Sequence, residues 1–269
     1  MTQPDGLQRP ACRTGMASFG SEPQGRRQSS RDRLLSVVIP VYNELDTWRE
    51  LVRRVEAAEA AGLLKQIILI DDGSTDGTRR QLAEFAEHAT SQGDIRYKVV
   101  FHERNQGKGA ALRTGLAAAD GDIVVIQDAD LEYDPGDYPK LLAEILQGRA
   151  DVVYGSRFAN GRPESILPAN YLANRFLTFL SNLLTGLRLT DMETCYKAFR
   201  RDVLRRVTLE QDRFGFEPEI TAKVAGLGVR IIEVPIGYVG RTRRQGKKIG
   251  WKDGAKAVWC IFKYALRRR

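Results

Sequence analysis

Histidine is nearly absent from this chain: only His88 and His102 occur in 269 residues, in no metal-ligand spacing. That excludes a His-based zinc site. The three cysteines, Cys12, Cys195 and Cys260, are widely spaced, odd in number and form no CxxC pair. A disulfide framework is therefore not expected, and reduced thiols suit a cytoplasmic protein. No apolar run approaches the roughly 18 residues of a membrane-spanning helix. The arginine-bearing N-terminus is not followed by an apolar stretch, so it does not read as a secretory signal. Ten prolines and 25 glycines are ordinary usage and exclude collagenous and low-complexity classes. No internal repeat is visible.

What remains is 42% apolar and 28% charged, enough for one large globular domain with its own core. The formal charge of +8 suggests a polyanionic partner: nucleic acid, a phosphate-rich ligand or an anionic membrane. Its distribution narrows the choice. Residues 1–33 carry +3 and residues 241–269 carry +10, so the body between them is acidic at −5. An acidic body argues against a protein that coats nucleic acid.

Residues 1–33 lack apolar periodicity and read as a disordered basic tail. From Leu34 onward, β-branched runs alternate with helical stretches. LLSVVIPV (34–41), QIILID (66–71), YKVVF (97–101), DIVVIQ (122–127) and DVVYG (151–155) read as strands. The intervening helices are expected over 44–61, 76–87, 107–119 and 137–147. Near-continuous apolar strands separated by helices predict an α/β fold with a mostly parallel sheet covered on both faces. Further on, 168–187 predicts a long apolar helix, 217–226 a helix, 229–236 a strand and 253–269 a basic amphipathic helix. The domain division read from this is a tail (1–33), a catalytic domain (34–250) and a C-terminal helix (251–269).

Ligands of open parallel sheets bind beyond the carboxyl ends of the strands. Three such ends carry polar clusters: Pro40–Glu44, Asp71–Thr78 and Asp128–Tyr133. One alone reads equally well as turn punctuation, and Asp76 as a helix cap; three on one sheet edge favour a shared site. In an extended DADLEY segment, Asp128, Asp130 and Glu132 would point to one side. Such carboxylates suit Mg²⁺ or Mn²⁺, which bridge oxygen ligands to substrate phosphates. The Gly107-Lys108-Gly109 turn lacks the spacing of a Walker A loop. Lys108 there reads either as a phosphate ligand or as a solvated lysine.

The ordered motifs VVIPVYNE, IDDGSTDGT, NQGKGAAL, DADLEYDPGD, VVYGSR, LTDMETCYKAFR, RFGFEPEI and EVPI resemble glycosyltransferase family 2, with its GT-A fold. Within it they are most similar to polyprenyl-phosphate sugar synthases of the dolichol-phosphate mannose synthase type. The resemblance covers about residues 34–253. It implies a nucleotide-sugar donor, with Pro40, Tyr42, Glu44, Ile70 and Asp72 lining the nucleotide pocket. Asp128, Ala129 and Asp130 would follow ribose and diphosphate, with Asp128, Asp130 and Glu132 as ligands of Mg²⁺ or Mn²⁺. Arg157, Arg241 and Lys248 would face the donor phosphates, and Asp191 would position acceptor or sugar. Glu132 stands where relatives often carry Gln, and Cys195 where many carry Gly.

The implied acceptor is a polyprenyl monophosphate, and the implied outcome is inverting transfer of a hexose or N-acetylhexosamine. That acceptor lives in a bilayer. Leu172, Phe176, Phe179, Leu180, Leu183 and Leu187 in 168–187, and Val258, Trp259, Phe262 and Leu266 beside basic residues in 253–269, suit contact with anionic lipid. The expected location is the cytoplasmic face of the membrane, held peripherally. Two rivals are a family 2 enzyme with a soluble or polysaccharide acceptor, and a basic nucleic-acid-binding module. Donor identity, acceptor length and oligomeric state leave no trace in the sequence.

Overall fold

The apolar runs become strands because each can bury both of its faces. In this computed structural model, which describes residues 33–89, 93–240 and 251–267, β1 (Leu34–Val41) puts Leu35, Val37, Ile39 and Val41 into one core layer. Its Val38 faces a second layer on the other side of the sheet. β2 (Leu64–Asp71) and β4 (Ile123–Ile126) split in the same way, Ile67, Leu69 and Val125 against Ile68, Ile70 and Val124. This is the alternation of strands covered on both faces.

With β3 (Ile95–Phe101), β5 (Val152–Ser156), β6 (Lys197–Arg200) and β7 (Ile231–Pro235), the sheet has seven strands in the order β3-β2-β1-β4-β6-β5-β7. All pairings are parallel except those of β6, which runs antiparallel to β4 and β5. The α/β expectation holds; β6 is an element the periodicity did not reveal.

The helices are α1 (Trp48–Ala57), α2 (Thr78–His88), α3 (Lys108–Ala118), α4 (Tyr138–Leu146), α5 (Pro168–Thr185), the short α6 (Arg201–Leu204), α7 (Phe216–Gly226) and α8 (Trp251–Leu266). α1 is shorter than read: residues 44–47 form a turn, and Ala61 adopts φ 53. Its C-terminal carbonyls are closed by the buried Lys65 of β2, whose ammonium donates to Val55, Glu56 and Ala58. A cation at a helix C-terminus is favourable to the dipole as well as to the orphan carbonyls.

Helices α5, α7 and α8 pack on one another. Cys260 and Tyr264 of α8 are buried against Ala222 of α7. The basic C-terminal helix is thus docked on the domain along one side and exposed along the other.

Gly73, after β2, adopts φ +72, and a Cβ there would lie 2.5–2.6 Å from the backbone of Arg104 and Asn105. Backbone cannot yield as a side-chain tip does. Gly73→Ala is expected to lose about 2 kcal/mol or more, read as a lower denaturant midpoint. An unchanged midpoint would mean that the two loops are not in contact.

Candidate functional site

Because β1 lies between β2 and β4, the three polar clusters end side by side at one sheet edge. The loop after β1 is stitched to the loop after β2. Asn43 and Glu44 donate backbone N–H groups to the Ser74 and Thr78 hydroxyls, and the Asn43 side chain accepts from Thr75 N. Asp76 accepts from Leu45 N at 3.2 Å and from Thr78 N at 3.0 Å. From one residue before the N-cap Gly77 it thus holds the first N–H of α2, and it ties down the first loop as well.

Asp72 is buried and anchors a further loop. Its carboxylate accepts from Gln106 N (2.9 Å), Gly107 N (2.7 Å) and the His102 ring (2.7 Å). Pro40 sits in β1 opposite Ile70, and Ile70 is fully buried in the core. Ala129 is buried in the opposite core layer. Tyr42 and Glu44 are partly exposed at the loop, where Glu44 accepts from the Thr47 hydroxyl.

The DADLEY segment is not extended. Residues 128–134 turn: Leu131 takes φ 61, and Asp130 accepts from Glu132 N at 3.1 Å. An Asp accepting from the N–H two residues on is an Asx turn, which outcompetes continuation of a four-residue strand. The period-two argument for the three carboxylates therefore fails. Among the described residues no three His, Cys, Asp or Glu side chains converge on a metal position. Asp128 is paired with Lys108 at 2.8 Å, and Glu132 accepts from the Tyr238 hydroxyl at 2.6 Å. Hard oxygen donors held in one turn still fit a cation such as Mg²⁺, which takes one or two carboxylates and draws the rest from substrate phosphates and water.

Lys108 settles into neither of its two sequence readings as a solvated group or a free phosphate ligand. It is largely enclosed, with 17% of its side chain exposed, and its ammonium contacts Asp128, Cys195 Sγ (2.6 Å) and Glu217 (3.6 Å). Burial disfavours the charge, but Asp128 and the other anionic neighbours outweigh it and hold the ammonium's pKa well above the ordinary lysine value. Gly107 permits this: at φ +104 it packs directly against the Asp212 carbonyl, where a Cβ has no room. Burial, followed by Asp128, pushes the Cys195 thiol well up, so it stays protonated and is a poor nucleophile.

A second cluster joins β5 to the loop before β6. Arg157 forms a two-pronged pair with Asp191, at 2.6 and 2.8 Å, and its own N–H donates to the same carboxylate. Asn174 of α5 adds a fourth bond to Asp191. Glu233 of β7 accepts from Thr190 N and Asp191 N and fixes the turn. The guanidinium lies over the rings of Phe158 and Tyr238. Burial opposes its charge, yet Asp191 prevails and raises its pKa further.

The buried Lys197 of β6 donates to the carbonyls of Met192 and Thr194 and so closes the loop from below. Arg241 and Lys248 lie outside the described residues. Sequence reasoning missed Glu193, Lys197, Glu217, Glu233 and Tyr238. Glu217 lay within a quoted motif, but no spacing relates it to Lys108.

Beside Asp191, α5 exposes Leu172, Phe176, Phe179 and Leu183, at 56–70% of their full exposure, and α8 exposes Trp259, Phe262 and Leu266. Among the described residues no helix is long and apolar enough to cross a membrane.

The family model described as Glycosyl transferase family 2 matches residues 36–208. The chain is 35% identical over 208 residues to an undecaprenyl-phosphate 4-deoxy-4-formamido-L-arabinose transferase of Klebsiella pneumoniae, covering 77% of this chain and 60% of that protein. A protein of the same description from Pseudomonas fluorescens is 34% identical over 218 residues, with 79% and 59% covered. The chain thus spans about three fifths of the length of these relatives. The fold is also that of glucosyl-3-phosphoglycerate synthase of Mycobacterium tuberculosis, solved with Mn²⁺, uridine diphosphate and phosphoglyceric acid. The TM-score is 0.64 and the identity 23%, with 88% of this chain and 78% of that one covered. The same enzyme with Mg²⁺ and uridine diphosphate gives a TM-score of 0.63 at 23% identity, covering 88% and 79%.

Proposed function

This chain belongs to glycosyl transferase family 2, and from that premise we propose that it moves a sugar from a nucleotide sugar to a polyprenyl monophosphate, with inversion, at a membrane surface. The single observation that carries the acceptor is the apolar stripe of α5. The same helix touches Asp191 through Asn174, so a lipid lying on the stripe would bring its phosphate to the Arg157–Asp191 pair. The description of the curated relatives, transferases acting on undecaprenyl phosphate, supports the same acceptor class.

In this reading the loop after β1, with Tyr42 and Glu44, borders the nucleotide. Asp72 acts through the 103–107 loop that it holds, rather than by direct contact. Lys108 fixes the Asp128 carboxylate. Asp130, with Asp128 and Glu132, would hold Mg²⁺ or Mn²⁺, as the metal-bound relatives of this fold encourage. Such a cation, when bound, stabilises the charge that grows on the departing nucleoside diphosphate. Arg157 adds fixed positive potential beside the reacting groups, and Asp191 orients it. The acceptor phosphate is already anionic, so no strong base is required to activate it.

Incubation with labelled donors and polyprenyl phosphate tests the proposal. A panel of GDP-mannose, UDP-glucose, UDP-N-acetylglucosamine and a UDP-4-formamido pentose is expected to yield sugar in the organic phase with one of them. Label that moves only to soluble acceptors would overturn the lipid claim. Asp130→Asn is expected to lower the transfer rate about a hundredfold with its circular dichroism unchanged. Undiminished turnover would remove Asp130 from the machinery.

A further inference from the structure

Nearly every buried charge near the site has a partner, and one carboxyl oxygen does not. Glu193 lies in the loop before β6, and its Oε1 is shut off from solvent without a hydrogen-bond partner among the described residues. A buried carboxyl in that position either finds a partner or keeps its proton.

The charged and titratable groups around it come from several elements. Its own loop brings Asp191, β6 brings Lys197, and α8 brings the Cys260 thiol. The segment after β5 brings Arg157, and α7 brings Glu217, with Lys108 of α3 behind it. Glu233 of β7 stands behind Asp191. The cations are already engaged: Arg157 with Asp191, Lys108 with Asp128 and Glu217, and Lys197 with two backbone carbonyls. Burial first, and then Glu217, push Glu193 up to about 8, against the pull of Lys197 and Arg157. Its proton is therefore held to higher pH than an ordinary glutamate's, and its unpartnered oxygen is enclosed.

The neighbouring helix indicates what arrives there. Asn174 and Thr178 of α5 hold Asp191 and Met192. Leu172, Phe176 and Phe179 face outward at the same height along that helix. A chain laid on this stripe delivers its head group to the loop that carries Glu193.

We infer that Glu193, partly exposed as a residue although its Oε1 is enclosed, turns its protonated carboxyl to donate a hydrogen bond to an oxygen of the acceptor's phosphate, a contact that ionised Glu193 would replace with repulsion. The inference rests on the lipid-phosphate reading of the site. No bond of the substrate is made or broken by Glu193; it recognises the acceptor.

The test is steady-state kinetics with polyprenyl phosphate between about pH 6 and pH 9.5, on wild type, Glu193→Gln and Glu193→Asp. The wild-type KM for the acceptor is expected to climb about tenfold per pH unit above about pH 8, while the donor KM stays level. Glu193→Gln, a donor at every pH, is expected to flatten that climb. Glu193→Asp keeps the titration but shortens the reach, so it is expected to raise acceptor KM several-fold at neutral pH and retain the alkaline limb. Identical pH courses in wild type and Glu193→Gln overturn the inference, as does a rise confined to the donor KM.

Thermal unfolding gives an activity-free readout. The folded pKa lies above the unfolded value of 4.5, so this stabilisation is complete below 4.5 and is lost as pH rises toward about 8. The Tm of Glu193→Gln relative to wild type is therefore expected to rise with pH, and a constant difference overturns the protonated state. Should Glu193→Gln fail to fold, Glu193→Asp and the wild-type pH course decide. If wild type glycosylates a different phosphate monoester, the acceptor reading falls and Glu193 is judged on that substrate. A hydroxyl acceptor without phosphate overturns both.

Discussion

Asp191→Ala is expected to reduce transfer about a thousandfold and to remove about 3–5 kcal/mol of stability. Both effects have one origin. Arg157 is only 12% exposed along its side chain and relies on Asp191 for both prongs of its fork. Without the carboxylate, a guanidinium that cannot shed its proton is left buried with two aromatic faces for company. Wild type hides this cost because Asp191 is itself held by Asn174 and, through its backbone, by Glu233.

A paired replacement separates structure from chemistry. Arg157→Met with Asp191→Leu replaces a buried ion pair by apolar groups of similar volume, which is often neutral for stability. The double variant is expected to regain most of the lost Tm and none of the activity. If activity returns with stability, the pair is scaffolding and its place in the mechanism is withdrawn. Arg157→Lys is a milder probe of the same point. A lysine supplies the charge but not the two-pronged geometry, and is expected to fall between the two.

The fold was legible where burial is two-sided. Strands such as 34–41 and 66–71 are mostly apolar because helices cover both faces, and their positions could be read directly. β6 was not legible. Its four residues, KAFR, include a lysine that is buried only because two carbonyls of the preceding turn receive its ammonium. The alternation-based reading of Asp128, Asp130 and Glu132 failed for a local reason. A side-chain hydrogen bond from Glu132 N to Asp130 outweighs the weak tendency of a short strand to continue. Asp191 and Arg157 could be named through family resemblance, but their mutual pairing could not, since 34 residues separate them. Lys108 shows the limit most plainly. Whether a lysine is solvated or buried depends here on Asp128, Cys195 and Glu217, which come from three distant segments.

The paired change Phe176→Glu with Phe179→Glu is expected to lower partitioning onto anionic vesicles by about a thousandfold. Each phenylalanine forfeits about 1–2 kcal/mol of apolar burial, and each new carboxylate meets an anionic surface that returns about 1 kcal/mol per charge. At 1.4 kcal/mol per tenfold, even the lower sum approaches three decades. The basic residues near the stripes, Arg175 on α5, Arg188 just after it and Arg267 just after α8, remain exposed in the variant. Any residual binding should therefore vanish at high salt, because attraction between exposed charges is screened beyond a Debye length. The charge asymmetry of the sequence gives the same expectation from the other side. An acidic body with a +10 C-terminal segment would face a bilayer in one orientation, with α8 toward the lipid. Sedimentation with vesicles of mixed zwitterionic and anionic lipid measures the partitioning. Transfer to a short, water-soluble prenyl phosphate measures the chemistry without the membrane. The variant is expected to lose the first and retain most of the second. A variant that still sediments like wild type would leave the α5 stripe without a membrane role, and the lipid acceptor would then need another route to Arg157 and Asp191.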